Sequence, residues 1–287
     1  MAKIGVQGMM LKDRIAKDGV FPVLERMVGL GYRAIEISQV PMTEENVSQM
    51  ERARAELGLE FAAISAPLAQ MGGGQQVDAL DTDYDKMVAD ARRLGTSLMR
   101  IPMMPFPVMA SRAATEEFIG KANEYATRLR GDGITLTFHN HHVEFAKYDG
   151  KRIIDMIRDG APDLRFEVDV HWVHRSGVNP VTFLKEYAGL VDLIHLKDYR
   201  VGHLPEDAVK LLAAGDFPGF MSAFTGIVQF AEVGEGNLDF TAIIDTAVET
   251  GVTWMLVEQD DLYGRDPFDC LTTSRDNLRA LGYQHLF

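Results

Sequence analysis

The segment TFHNHHVEF, residues 137–145, places His139, His141 and His142 within four positions, with Glu144 close behind. Imidazole titrates near neutral pH and also ligates metals. Such a cluster can hold an ion, relay protons, or simply lie in a strand. Three later segments carry the same kinds of group. RFEVDV supplies Glu167 and Asp169, LIHLKD supplies His195, Lys197 and Asp198, and MLVEQD supplies Glu258, Gln259 and Asp260. Side chains alternate along a strand, so His195 and Lys197 share one face, and Glu258 and Asp260 share another. One selection then brings Glu144, Asp169, His195 and Glu258 around a common axis. Three carboxylates and one imidazole suit Mn²⁺ first, and Mg²⁺, Co²⁺ or Zn²⁺ otherwise. An ion so held keeps coordination positions for two substrate oxygens. A single strand-end carboxylate is usually solvated or hydrogen-bonded. Four ligand types on four successive strand ends are a sharper signal.

The elements that must position these groups are short apolar runs separated by helical stretches. The runs are KIGVQ (3–7), AIEIS (34–38), FAAIS (61–65), LMRIP (98–102), TLTFHN (135–140), RFEVDV (165–170), LIHLKD (193–198) and MLVEQD (255–260). Thr43 before two glutamates with Gly58 at the far end, Asn179-Pro180, and Asp266-Pro267 mark helix boundaries. Strict alternation predicts a parallel sheet, and eight units predict a single (β/α)₈ TIM barrel over residues 1–287. A doubly wound sheet is less favoured, because no G-x-G-x-x-G follows the first strand. Strands one to four end mainly in neutral or apolar residues, Gln7 and Glu36 excepted, which puts the polarity on one side of the barrel mouth. One connection is too long, and its excess at about 199–236 predicts a lid or contact surface.

The formal net charge of -13 argues against nucleic acid as a partner. The single cysteine, Cys270, excludes an internal disulfide and fits a reducing compartment. No long apolar run marks a leader or a membrane span, so a soluble, cytoplasmic protein without membrane contact is expected.

Taken in order, FHNHHVEF, EVDVHWVHRSGVNPV, IHLKDY, AEVGEGNLDF and LVEQD resemble the sugar phosphate isomerase/epimerase family of the xylose-isomerase-like barrel superfamily. The resemblance runs over essentially the whole chain. It implies one divalent metal on Glu144, Asp169, His195 and Glu258. It implies an isomerase or epimerase that removes a proton beside the carbonyl of a sugar or keto-sugar, through a metal-stabilised enediolate. Ketose 3-epimerases of the superfamily carry a metal-binding glutamate inside the fifth strand; here Thr137 takes that place. The departure moves the acid/base role towards His141, with Glu144 and Glu258 completing the catalytic set. His142, on the opposite face, is read as an orienting or packing residue.

His139, Lys197, Trp172, Glu232 and Arg265 are candidates for substrate contact. Each has a plainer alternative. His139 could orient ligands, Lys197 could pair with Asp169 or Glu258, and Trp172 could pack in the core. Glu232 could belong to a turn with Gly234 and Gly236, and Arg265 to a helix entry. The run MGGGQQ (71–76) is a weak phosphate-loop signal.

Members with the HNHH run also suggest a second activity: carbon–carbon lysis of 3-keto-C-glycosides by the same enolisation step, in complex with a small β-rich subunit. A homo-oligomer is the alternative assembly. Abasic-site DNA repair shares the fold but needs several metals and a basic groove. A sugar-binding protein without catalysis would need no metal.

Overall fold

The computed structural model of the protein describes residues 2–70 and 77–287. Eight strands close into an all-parallel barrel: β1 (Lys3–Gln7), β2 (Ala34–Ile37), β3 (Glu60–Ser65), β4 (Leu98–Ile101), β5 (Thr135–His139), β6 (Arg165–Asp169), β7 (Val191–Leu196) and β8 (Trp254–Val257). Each strand pairs with its sequence neighbour, and β8 closes on β1. The last strand stops at Val257, so Glu258, Gln259 and Asp260 lie on the connection just beyond it.

Alternation divides the strand residues into two populations. Ile4, Val6, Ile35, Ile37, Met99, Ile101, Phe138, Val168, Ile194, Leu196, Met255 and Val257 join the main core between barrel and helices. Ala63, Leu193 and Leu256 form a small second cluster, with Leu98 and Trp254 against it. The intervening positions nearer the C-terminal ends are Glu36, Arg100, Glu167 and His195, all buried. An inner lining that is apolar below and charged above delivers polar groups to the mouth where barrel active sites form.

The helix boundaries follow the capping residues. Thr43 Oγ1 accepts from the Asn46 N–H, and Gly58 ends that helix in the left-handed conformation. Asn179 caps a helix with Pro180 in its first turn, and Asp266 does the same ahead of Pro267. Among the described residues no helix is long and apolar enough to cross a membrane. The MGGGQQ run falls outside the described residues.

The 199–236 excursion is more ordered than a loop. Asp198–Val201 pairs antiparallel with Val228–Ala231, and two helices, Glu206–Ala213 and Phe217–Thr225, sit between these strands. The local signals are turn and cap residues. Gly215 has φ +80, and Asp216 accepts from the Gly219 N–H at 3.0 Å. Val209, Leu212, Phe217 and Phe224 remain exposed on the helical pair.

One aspartate ties this excursion to the barrel. Asp198 is buried and accepts from the backbone N–H groups of Tyr199, Gly234, Gly236, Asn237 and Leu238. A side chain at position 236 would run into Asp198 and the Tyr199 carbonyl, so glycine is required there. The AEVGEGN motif is therefore a turn folded around a carboxylate.

Candidate active site

The end of β6 is fixed by its own helix cap. Asp169 Oδ1 accepts from the N–H groups of His171 and Trp172 at 2.9 and 3.1 Å, starting the helix Val170–Arg175. That leaves Oδ2 facing the mouth. There it meets His195 Nδ1 at 3.9 Å, and His195 Nδ1 meets Glu258 Oε2 at 2.7 Å. These three atoms are buried and lie within 4.8 Å of one another. A ring nitrogen and two carboxylate oxygens drawn together in this way are placed as ligands of one cation would be. The local charge agrees. Among the described residues, Glu36, Glu167, Asp169, Glu258 and Asp260 pair with two Lys or Arg side chains, Arg100 and Lys197.

Lys197 pairs as the plainer alternative expects. Its Nζ lies 2.9 Å from Asp169 Oδ2, 2.8 Å from Glu258 Oε2 and 2.9 Å from Asp260 Oδ1. It is a buried ion-pair partner of two of the converging carboxylates. Burial works to lower its ammonium, but Asp169, Glu258 and Asp260 outweigh that and raise it.

Glu144 stands outside the converging set. Beyond β5 the chain turns into a short 3₁₀ segment, Val143–Phe145, and Glu144 Oε2 accepts from the His141 N–H at 2.7 Å. Its other oxygen is buried without a partner, and burial pushes the carboxyl up to about 7. The sequence pattern brings four ligands to one axis; the structure brings three together, with Glu144 tied to its own turn. Thr137 is buried and donates to the Met99 carbonyl at 3.1 Å, so it serves the sheet.

The three histidines separate by depth. His139 is buried, 3.3 Å from Glu167 through Nδ1, with its ring 4.5 Å from that of His195. His141 lies higher, edge-on to His139 at 4.8 Å, and its Nδ1 has no partner. Burial and the nearby Lys197 charge pull His141 down to about 3, so it is neutral at ordinary pH. His142 is exposed, its ring tilted against Trp172 at 5.0 Å. Trp172 faces Lys197 at 5.4 Å and packs beside Phe230 of the excursion at 6.2 Å. Glu232 and Arg265 pair with each other, Glu232 buried and Arg265 exposed.

Two groups were not legible as site residues. Arg100 stands inside an apolar strand, yet it is buried in the barrel, with Nε 2.5 Å from Glu36 Oε1 and 3.1 Å from Glu167 Oε2. With Glu36 it extends the polar interior across to β2 and β4, so polarity is not confined to one side of the barrel. The only signal was a charged residue in LMRI. The second is His171, fully buried with neither ring nitrogen partnered, among Trp172, Tyr199 and Phe230.

His171 carries a stability prediction. Burial, reinforced by Lys197, holds its imidazole down to about 3. In the unfolded chain it titrates near 6.5, so below that pH the unfolded state binds the extra proton and the folded state loses stability. H171F removes this term. Between pH 7 and 5 the wild type is expected to lose about 2 kcal/mol relative to H171F, measured by urea unfolding at both pH values. A constant difference across that window contradicts the assignment.

A closed parallel barrel with an acid–histidine cluster at the C-terminal mouth defines a (β/α)₈ protein built for chemistry at its strand ends. The chain belongs to the xylose isomerase-like TIM barrel family, which matches residues 24–280. Solved structures with the same fold include a sugar phosphate isomerase/epimerase from Parabacteroides distasonis ATCC 8503. Its TM-score is 0.72 at 18% identity, covering 97% of this chain and 98% of that one. An L-ribulose 3-epimerase has a TM-score of 0.67 at 14% identity, covering 100% and 96%. A 3-keto-D-glucoside 4-epimerase from E. coli has a TM-score of 0.62 at 12% identity, covering 98% and 99%. At these identities the likeness is one of fold. No curated protein matches the chain in sequence.

Proposed function

We propose that this protein is a divalent-metal-dependent isomerase or epimerase that moves a proton next to the carbonyl of a sugar or keto-sugar. The observation that carries this is the convergence of Asp169 Oδ2, His195 Nδ1 and Glu258 Oε2 within 4.8 Å, in the barrel that also presents the unpartnered Nδ1 of His141. These residues would hold the ion, Mn²⁺ first, and Glu144 lies on the neighbouring turn with a free buried oxygen. When bound, the ion supplies positive charge for a substrate oxygen on which negative charge develops. His141 presents its unpartnered Nδ1 as the group to accept the proton from carbon. Lys197 holds the Asp169 and Glu258 carboxylates in place. Trp172 and Phe230 offer an apolar wall for the carbon face of a sugar ring. The sugar isomerases and epimerases among the structural neighbours support this choice of reaction class.

The test is H141Q against a panel of ketoses and 3-keto-glycosides. Turnover is expected to fall about 10²–10⁴-fold while Mn²⁺ binding persists. Wild-type turnover in H141Q removes His141 from the mechanism.

A second reading uses the same proton removal to expel an aromatic group from a 3-keto-C-glycoside. The aromatic surroundings of Lys197, from Trp172 and Phe230, favour it. Release of a free phenol distinguishes it, and epimerisation without phenol release counts against it. The exposed apolar side chains of the helical pair support contact with a second copy or a small subunit. A strict monomer by light scattering, with no copurifying chain, would remove that proposal.

A further inference from the structure

Beneath the converging ligand atoms lies a second set of buried charges. Glu36 of β2, Arg100 of β4 and Glu167 of β6 come from alternate strands, which is how a barrel builds one interior level. His195 of β7 sits on it. Its Nε2 is 3.1 Å from Glu36 Oε2 in hydrogen-bonding geometry and 3.2 Å from Glu167 Oε1. Its Nδ1 is 2.7 Å from Glu258 Oε2. An imidazole that gives its Nδ1 lone pair to a metal keeps a single N–H. The contact with Glu36 would hold that proton on Nε2 and leave Nδ1 for the ion. Two carboxylates this close would repel each other, and the Arg100 guanidinium between them offsets that repulsion, anchored through Nη2 to Ser38 Oγ at 2.8 Å. His139, Glu167 and His195 also bring ligand-type atoms within 4.8 Å of one another. Arg100 already supplies the cation at Glu167, so this lower group is support for the upper one.

We propose that Glu36, Glu167 and Arg100 are positioning residues that hold His195 in the Nε2–H tautomer, with Nδ1 presented as a metal ligand. The inference rests on the proposed metal centre, and adds residues on β2 and β4 to it. A carboxylate behind a ligating histidine fixes its ring and raises its basicity, and losing one weakens metal binding about 10–100-fold.

The test compares Mn²⁺ affinity of the wild type with that of E36Q/E167Q by calorimetric titration, with circular dichroism as the check of fold. The double variant is expected to bind 10–100-fold more weakly. If it does not fold, single E36Q and E167Q variants are read the same way. The second readout is the ¹⁵N spectrum of histidine-labelled protein loaded with Zn²⁺. It is expected to show His195 protonated at Nε2 and metal-bound at Nδ1. Unchanged Mn²⁺ affinity in the folded variants, or a His195 proton on Nδ1, overturns the proposal while leaving the metal centre standing. A wild type that binds no Mn²⁺ overturns both.

Discussion

E258Q is expected to lose at least about 10³-fold in turnover, equivalent to roughly 4 kcal/mol of transition-state stabilisation. The change is one oxygen to one amide nitrogen, at a residue 4% exposed. It removes the carboxylate charge that faces His195 Nδ1 at 2.7 Å and Lys197 Nζ at 2.8 Å. Burial alone would raise the Glu258 carboxyl, but the His195 and Lys197 charges outweigh it and hold it well below the usual carboxylate range. The residue therefore presents a full negative charge to whatever cation completes the site, and an amide cannot. Mn²⁺ affinity should fall with turnover, while Lys197 keeps Asp169 and Asp260 as partners, which preserves the fold. Steady-state rates with metal titration check both. A variant retaining more than a tenth of wild-type turnover contradicts the role given to Glu258.

The second large effect is on stability. R100M should destabilise the fold by about 3–5 kcal/mol, because it removes the guanidinium that pairs with two buried carboxyl groups, Glu36 and Glu167. For a domain of this size that corresponds to roughly 6–20 °C in melting temperature. Burial would raise Glu36, but Arg100, helped by His195, holds it at about 2; burial and the Glu36 charge push Glu167 up to about 8. Without Arg100 both carboxyls are raised in the folded state. The folded protein then binds more protons than the unfolded chain, and its stability falls as pH rises through the raised values. The deficit of R100M should therefore be larger at pH 8 than at pH 5. Thermal melts at both values measure this. A deficit under about 1 kcal/mol, independent of pH, would falsify the account of Arg100 as the counter-ion of the barrel interior.

The fold was legible because alternation and capping are local. Eight apolar runs, Thr43 with Gly58, Asn179-Pro180 and Asp266-Pro267 each state their element without help from distant residues. Asp169 and His195 were legible for the same reason, since strand alternation sends them to one mouth, and Glu258 follows directly on the last strand. Glu144 was harder, because its placement depends on a 3₁₀ turn and a bond to its own backbone, which no periodicity encodes. Arg100 was hidden by barrel closure. Whether a lone arginine in an apolar strand faces water, a helix or Glu36 across the barrel depends on the whole ring of strands. The excursion at 199–236 was legible as an unusually long connection. Its anchoring on Asp198 joins backbone groups nearly forty residues away in sequence, a contact visible only once the chain is folded.

The central claim is that proton movement next to a carbonyl depends on a cation held by Asp169, His195 and Glu258. The direct measurement is deuterium incorporation, followed by mass spectrometry, when a panel of ketoses and 3-keto-glycosides is incubated with the protein in D₂O before and after metal stripping. The account predicts that one substrate gains deuterium at the carbon beside its carbonyl, that chelation stops this, and that Mn²⁺ restores it. Conversion of substrate with no deuterium entering that carbon, or exchange undiminished in stripped protein, would contradict it.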